Sequence, residues 1–181
     1  MASSSTLSQL IIFLIILFST NLLFAIPATS YPIENICRQT KNPDSCYKLL
    51  TPHANANLQE IGRIVIETTS AKFTLTGALI ESYRTQTKDP NLKTVYTLCV
   101  NYYRSALVEI NGARDKLKTG QFGGVNAAAN TVSRDSSACI GTFATNAPNK
   151  SIPIAKETSD VDYISSVFVV VSRILSSGAV V

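Results

Sequence analysis

Between Asp89-Pro90 and Gly120, apolar residues return in steps of 3, 4, 3, 4, 4, 3 and 4: Leu92, Val95, Cys99, Tyr102, Ala106, Ile110, Ala113 and Leu117. That spacing puts them all on one face of an α-helix. Asp89 is a natural N-cap, Pro90 suits the first helical position, and Gly120 suits the position just past the end. The result is one apolar stripe along about 30 residues, roughly 45 Å of helix at 1.5 Å per residue.

The rest of the chain reads the same way. Asn42-Pro43 repeats the cap-plus-proline signal and opens a helix through Cys46, Leu49 and Leu50 that Pro52 ends. Ile33, Ile36 and Cys37 suggest one or two helical turns before it, so the segment forms a helical hairpin bent near Lys41-Asn42. Residues 57 to about 87 carry Leu58, Ile61, Val65, Ala71, Leu75, Ala78, Leu79 and Tyr83 at helical but imperfect spacing around Thr68-Thr69-Ser70. A further helix shows Val125, Ala128, Val132, Ser136, Cys139 and Phe143, with Gly123-Gly124 read as a turn before it. After a connection from 145 to 158, the N-cap Ser159 starts a last helix with Val161, Ile164, Phe168, Val171 and Leu175, stopped by Gly178. The run 167–171 is β-branched enough for a strand, but no second strand-like run exists to pair with it, so a buried helix is the better reading. The expected fold is all-α, an antiparallel up-down-up-down four-helix bundle behind a short N-terminal helical hairpin.

The four cysteines test that topology. Residues facing each other in an antiparallel hairpin are equidistant from its turn. The midpoint of Cys99 and Cys139 is 119, beside Gly120, and the midpoint of Cys37 and Cys46 is 41.5, beside the Lys41-Asn42 bend. Of the three pairings four cysteines allow, only Cys37–Cys46 with Cys99–Cys139 sets each bridge across an expected turn.

Disulfides need an oxidising compartment, and the first 30 residues supply the route. They contain no charged side chain; they hold the apolar run 10–18, then 22–25, followed by the small residues Ala25, Ala28 and Ser30. This is the pattern of a secretory signal peptide cleaved after one of those three residues. The unbroken run is short of the roughly 20 residues a membrane span needs, so no stable membrane anchor is expected. Residues 31–181 then form one domain of 151 residues with a net charge of 16 − 12 = +4. The charges are interspersed, without the basic block of a nucleic-acid binder. Asn149-Lys150-Ser151 is an N-glycosylation sequon in a proline-containing loop, and Asn149 is the expected glycan acceptor.

Catalytic chemistry has little to work with. His53 is the only histidine and lies in a proline-marked turn. The cysteine spacing fits no zinc site, and phosphate-binding glycine loops and nucleophile elbows are absent. Asp160 and Asp162 are the nearest carboxylate pair; their placement at a helix start suits the helix dipole, and no Trp is present to stack a sugar. No cofactor, metal or catalytic residue is expected, and the chain reads as a non-enzyme.

Several motifs together point to a family. They are Ile36-Cys37-x-x-Thr40-x-Asn42-Pro43-x-x-Cys46, Asp89-Pro90-x-Leu92-Lys93 before Cys99, Tyr102-Tyr103 after it, and Ala127-Ala128 leading to Cys139-x-x-x-Phe143. With them the mature chain resembles the plant invertase and pectin methylesterase inhibitors. The resemblance implies an extracellular, apoplastic inhibitor of a cell-wall carbohydrate-active enzyme, with pectin methylesterase or acidic invertase as partner. The invertase type presents a Pro-Lys-Phe element before its third bundle helix; here the bend reads Gly120-Gln121-Phe122, which favours pectin methylesterase. Phe122, an aromatic among three glycines, is the candidate target contact. Relatives often carry Thr and acidic residues around the fourth bridging cysteine, where this chain has Ala138 and Ile140-Gly141, and a fifth cysteine where it has Ser165. A homodimer formed by hairpin exchange is compatible with such a chain. From a different class, a secreted helical signalling ligand also suits a disulfide-tied bundle, whereas a small-molecule carrier fits poorly with stripes that read as filled core.

Overall fold

The computed structural model describes residues 30–147 and 152–178. Within them six α-helices follow one another: α1 (Ile33–Cys37), α2 (Pro43–Leu50), α3 (Leu58–Gln86), α4 (Pro90–Lys118), α5 (Phe122–Asn146) and α6 (Ala155–Ser176), with a 3₁₀ turn at Thr51–His53 after α2. The signal segment and Asn149 lie outside the described residues. No described helix is long and apolar enough to cross a membrane.

Polar caps set the starts of α2, α3 and α4, because the first turn leaves backbone N–H groups without intrahelical partners. Asn42 Oδ1 accepts from Ser45 N at 3.1 Å, Asn57 Oδ1 from Glu60 N at 2.9 Å, and Asp89 Oδ1 from Asn91 N and Leu92 N at 2.9 and 3.2 Å. The four long helices pack as α3 on α4, α4 on α5, α5 on α6 and α6 back on α3, a closed up-down-up-down square. Their inner faces hold fully buried Ile61, Val65 and Phe73 of α3, Val95 and Ile110 of α4, Val125 and Val132 of α5, and Val161 and Val171 of α6. Each such side chain stabilises the fold by about 1.5–3 kcal/mol relative to exposure. Phe73 and Tyr103 meet at 4.9 Å between ring centroids, and Tyr96 and Phe143 form a T-shaped pair at 5.4 Å. On α3, a Cβ at Gly62 would stand 3.0 Å from Leu175 Cδ1, so glycine lets α6 approach closely there.

Cys37 is bridged to Cys46 and Cys99 to Cys139, with Cα separations of 5.3 and 4.7 Å. The second bridge joins the core faces of α4 and α5. The hairpin α1–α2 lies on its own bundle: Ile36 and Leu50 are buried, Lys41 N donates to Ser166 Oγ at 3.3 Å, and Lys41 Nζ reaches Asp162 at 2.6 Å.

Four sequence expectations need correction. On α3 the core face runs through Thr69, Phe73, Thr76 and Ile80, while Leu75 is 70% exposed. Thr69 bonds its hydroxyl back to Val65 O at 2.7 Å, which satisfies that polar group and lets the residue fill a core position. On α4 the buried tyrosines are Tyr96 and Tyr103, whereas Tyr102 of the expected stripe is only half-buried. α6 starts at Ala155 rather than at a Ser159 cap, because buried Ile154 anchors its first turn and Thr158 bonds back to Ile154 O at 3.0 Å. Gly123 and Gly124 do not form a turn; both lie in the first turn of α5.

Candidate functional site

The end of the bundle where α4 turns into α5 is built by a tight stop and an immediate restart. Gly120 takes φ 71°, the left-handed conformation that favours glycine. Gln121 N then donates to Lys116 O at 2.8 Å and Gly120 N to Leu117 O at 3.2 Å, which closes the α4 C-terminus. Gln121 Nε2 also donates to the Thr119 hydroxyl at 3.1 Å. Phe122 is the first residue of α5. Its ring is half-buried against the core, with the remainder facing out at the bend.

Beside this bend, the start of α3 and the end of α4 enclose an open cleft of about 390 Å³. Ile66 and Leu117 form its floor. Its walls are two ion pairs: Arg63 with Glu60 at 2.6 Å along α3, and Arg114 of α4 with Glu67 of α3 at 2.8 and 3.0 Å. Hydrogen bonds from Arg114 hold the Glu67 carboxyl below its ordinary range, and those from Arg63 do the same for Glu60. Gln59 Nε2 donates to Leu117 O at 3.2 Å and ties the two helix ends together. The cleft, the bend and Phe122 form one continuous end of the molecule. They offer apolar area framed by charge.

The remaining candidates are dispersed. His53 is exposed in the 3₁₀ turn. Asp160 accepts from Lys156 at 2.9 Å and stands 3.8 Å from Lys72 of α3. Asp162 pairs with Lys41 and accepts from Ser137 Oγ at 3.1 Å. The two aspartates therefore sit in the second turn of α6 as ties to α3, α5 and the N-terminal hairpin, rather than as partners of the helix dipole. No group of three or more His, Cys, Asp or Glu is arranged to hold a metal among the described residues. Ser165 is buried and donates to Val161 O at 2.7 Å, and Ile140 is 37% exposed. Sequence reasoning missed the cleft and the Lys41–Asp162 tie. Both depend on pairs far apart in the chain that no periodicity marks.

The described residues form a disulfide-tied helical bundle with an apolar-floored, charge-walled cleft beside the α4–α5 bend. Residues 32–171 match the family described as plant invertase/pectin methylesterase inhibitor, and the chain belongs to that family. It is 34% identical over 99 residues to pectinesterase inhibitor 1 of Arabidopsis thaliana, a match spanning 54% of this chain and 56% of that protein. It is 24% identical over 176 residues to the pectinesterase inhibitor of Actinidia deliciosa, covering 96% and 95% of the two chains. Its fold is similar to the crystal structure of a mutant form of a pectin methylesterase inhibitor from Arabidopsis. The TM-score is 0.71 at 25% identity, over 78% of this chain and 95% of that one.

Proposed function

We propose that this protein is a secreted inhibitor of pectin methylesterase that acts by covering the enzyme's substrate cleft. The observation that carries this reading is the near full-length likeness to a pectinesterase inhibitor, 95% of that relative's chain, within a family of enzyme inhibitors. Binding area comes from α4, α5 and the bend between them, with Phe122 as the proposed aromatic anchor. Residues 1–30 serve as the signal peptide, and Asn149 is the proposed glycan acceptor on the same secretory route. Mixing the protein separately with pectin methylesterase and with acidic invertase, and measuring both activities, tests the reading. Loss of pectin methylesterase activity alone is the expected result. Loss of invertase activity alone moves the protein to the other branch of the family, and loss of neither rejects inhibition of both enzymes.

A further inference from the structure

Away from the bend, the turn of the N-terminal hairpin and the outer faces of α5 and α6 enclose an open groove of about 450 Å³. Among the described residues, three cations line it, Lys41, Arg134 and Arg173, and no carboxylate does. Their partners differ. Lys41 is held by Asp162, whose side chain is only 18% exposed. Arg134 has a 73% exposed side chain and comes no nearer than 4.0 Å to Asp135, which is itself nearly buried. Arg173 donates to neutral Gln39 at 2.6 Å and has no carboxylate partner among the described residues. Two guanidinium groups thus keep donors available beside the neutral amide and hydroxyl of Asn130 and Ser133.

We propose that this groove binds a carboxylate-bearing sugar chain, an oligouronate. Guanidinium forks match planar carboxylates in a bidentate way that a point charge cannot. The amide and hydroxyl side chains of the same lining match sugar hydroxyls. A densely charged polyphosphate would need more cations than the interspersed net charge of +4 supplies. The choice of galacturonate as the uronate rests on the functional reading above, because removing methyl esters from pectin leaves free carboxylates along the chain. An inhibitor with this groove is retained where the product of its target accumulates.

The test is a titration of the ¹⁵N-labelled protein with a galacturonate oligomer, its fully methyl-esterified form and polyglutamate. Shifts at Asn130, Ser133 and Arg134 are expected with galacturonate, and binding at least tenfold weaker with the ester and with polyglutamate. Arg134→Gln should weaken galacturonate binding severalfold and Arg134→Gln with Arg173→Gln tenfold or more. Lys93→Gln, an equal charge change on exposed α4, should leave it intact. No binding, equal binding of the ester or of polyglutamate, or equal loss in Lys93→Gln overturns the proposal. Inhibition of pectin methylesterase is read separately. An active inhibitor that ignores galacturonate sinks the groove alone, and a galacturonate binder without inhibitory activity sinks the functional reading alone.

Discussion

Tyr103 carries its hydroxyl into the bundle, 1% exposed, with no hydrogen-bond partner among the described residues. Burial, with the charge of Asp162 in reach, pushes that hydroxyl well above the usual tyrosine range. A buried, unpaired hydroxyl carries a desolvation cost with nothing to offset it, while its ring packs on Phe73. Tyr103→Phe should therefore leave stability unchanged or raise it by up to about 1 kcal/mol, read as the urea midpoint. A clear loss would mean that the hydroxyl has a partner, such as a bound water. Phe122 presents the opposite case. Its inner half is held against the core and its outer half is available to a target. Phe122→Ala should weaken inhibition tenfold or more, about 1.4 kcal/mol, and lower the melting temperature modestly through the lost packing. Unchanged inhibition by the folded variant would leave Phe122 as a packing residue only. The sequence marked Phe122 but set Tyr102 on the inward stripe, where the structure turns Tyr103 inward instead. Adjacent residues lie only about 100° apart on a helix, so the exact orientation of the stripe decides it.

At the scale of the elements, the bridge between Cys99 and Cys139 does what no cap can: it fixes α4 against α5 across the very hairpin that bears the bend. Closing a loop of that length stabilises by about 3–4 kcal/mol in the chain-entropy model. Replacing both cysteines with serine should lower stability by that order. The cost should be larger than for the Cys37–Cys46 pair, whose sequence separation is 9 rather than 40. Guanidinium titrations of the two double variants decide the order. The Glu67–Arg114 pair joins α3 to α4 with far less effect, since both side chains are substantially exposed. Its sign with pH follows from the carboxyl. Arg114 holds Glu67 below its ordinary value of 4.5, so the pair stabilises fully above that value and ceases to as pH falls through the lowered one. Glu67→Gln should cost under about 1 kcal/mol at neutral pH, with the difference from the parent vanishing in acid. A difference that persists in strong acid would trace to packing instead. The helices themselves were legible because caps, prolines and terminal glycines are local signals. The inner face of α3 was not, because Thr69 and Thr76 occupy core positions that a hydrophobicity count passes over.

At the scale of the whole molecule, topology followed from two facts visible in the chain: stripes of similar length and cysteines symmetric about the turns. The proposed docking end was visible only as Gly120-Gln121-Phe122. The adjacent cleft is made by residues about 50 positions apart, such as Glu67 and Arg114, and becomes a surface only once α3 and α4 lie side by side. The molecule this builds is a four-helix bundle with charged ties on its outside, and the proposed mechanism of occlusion rests on that form. Covering a cleft requires area and rigidity, not a nucleophile. His53, exposed in a 3₁₀ turn, should be dispensable: His53→Ala should inhibit pectin methylesterase as strongly as the parent, with an unchanged melting temperature. Inhibition should also be stoichiometric and reversible. Activity should fall linearly with added protein until one equivalent is bound, and full activity should return when the complex is separated. Catalytic inactivation would behave otherwise, with substoichiometric amounts progressively destroying the enzyme and no activity returning after separation. If His53→Ala abolished inhibition in a folded protein, or if a trace of inhibitor silenced an excess of enzyme over time, steric occlusion would be the wrong mechanism for this bundle.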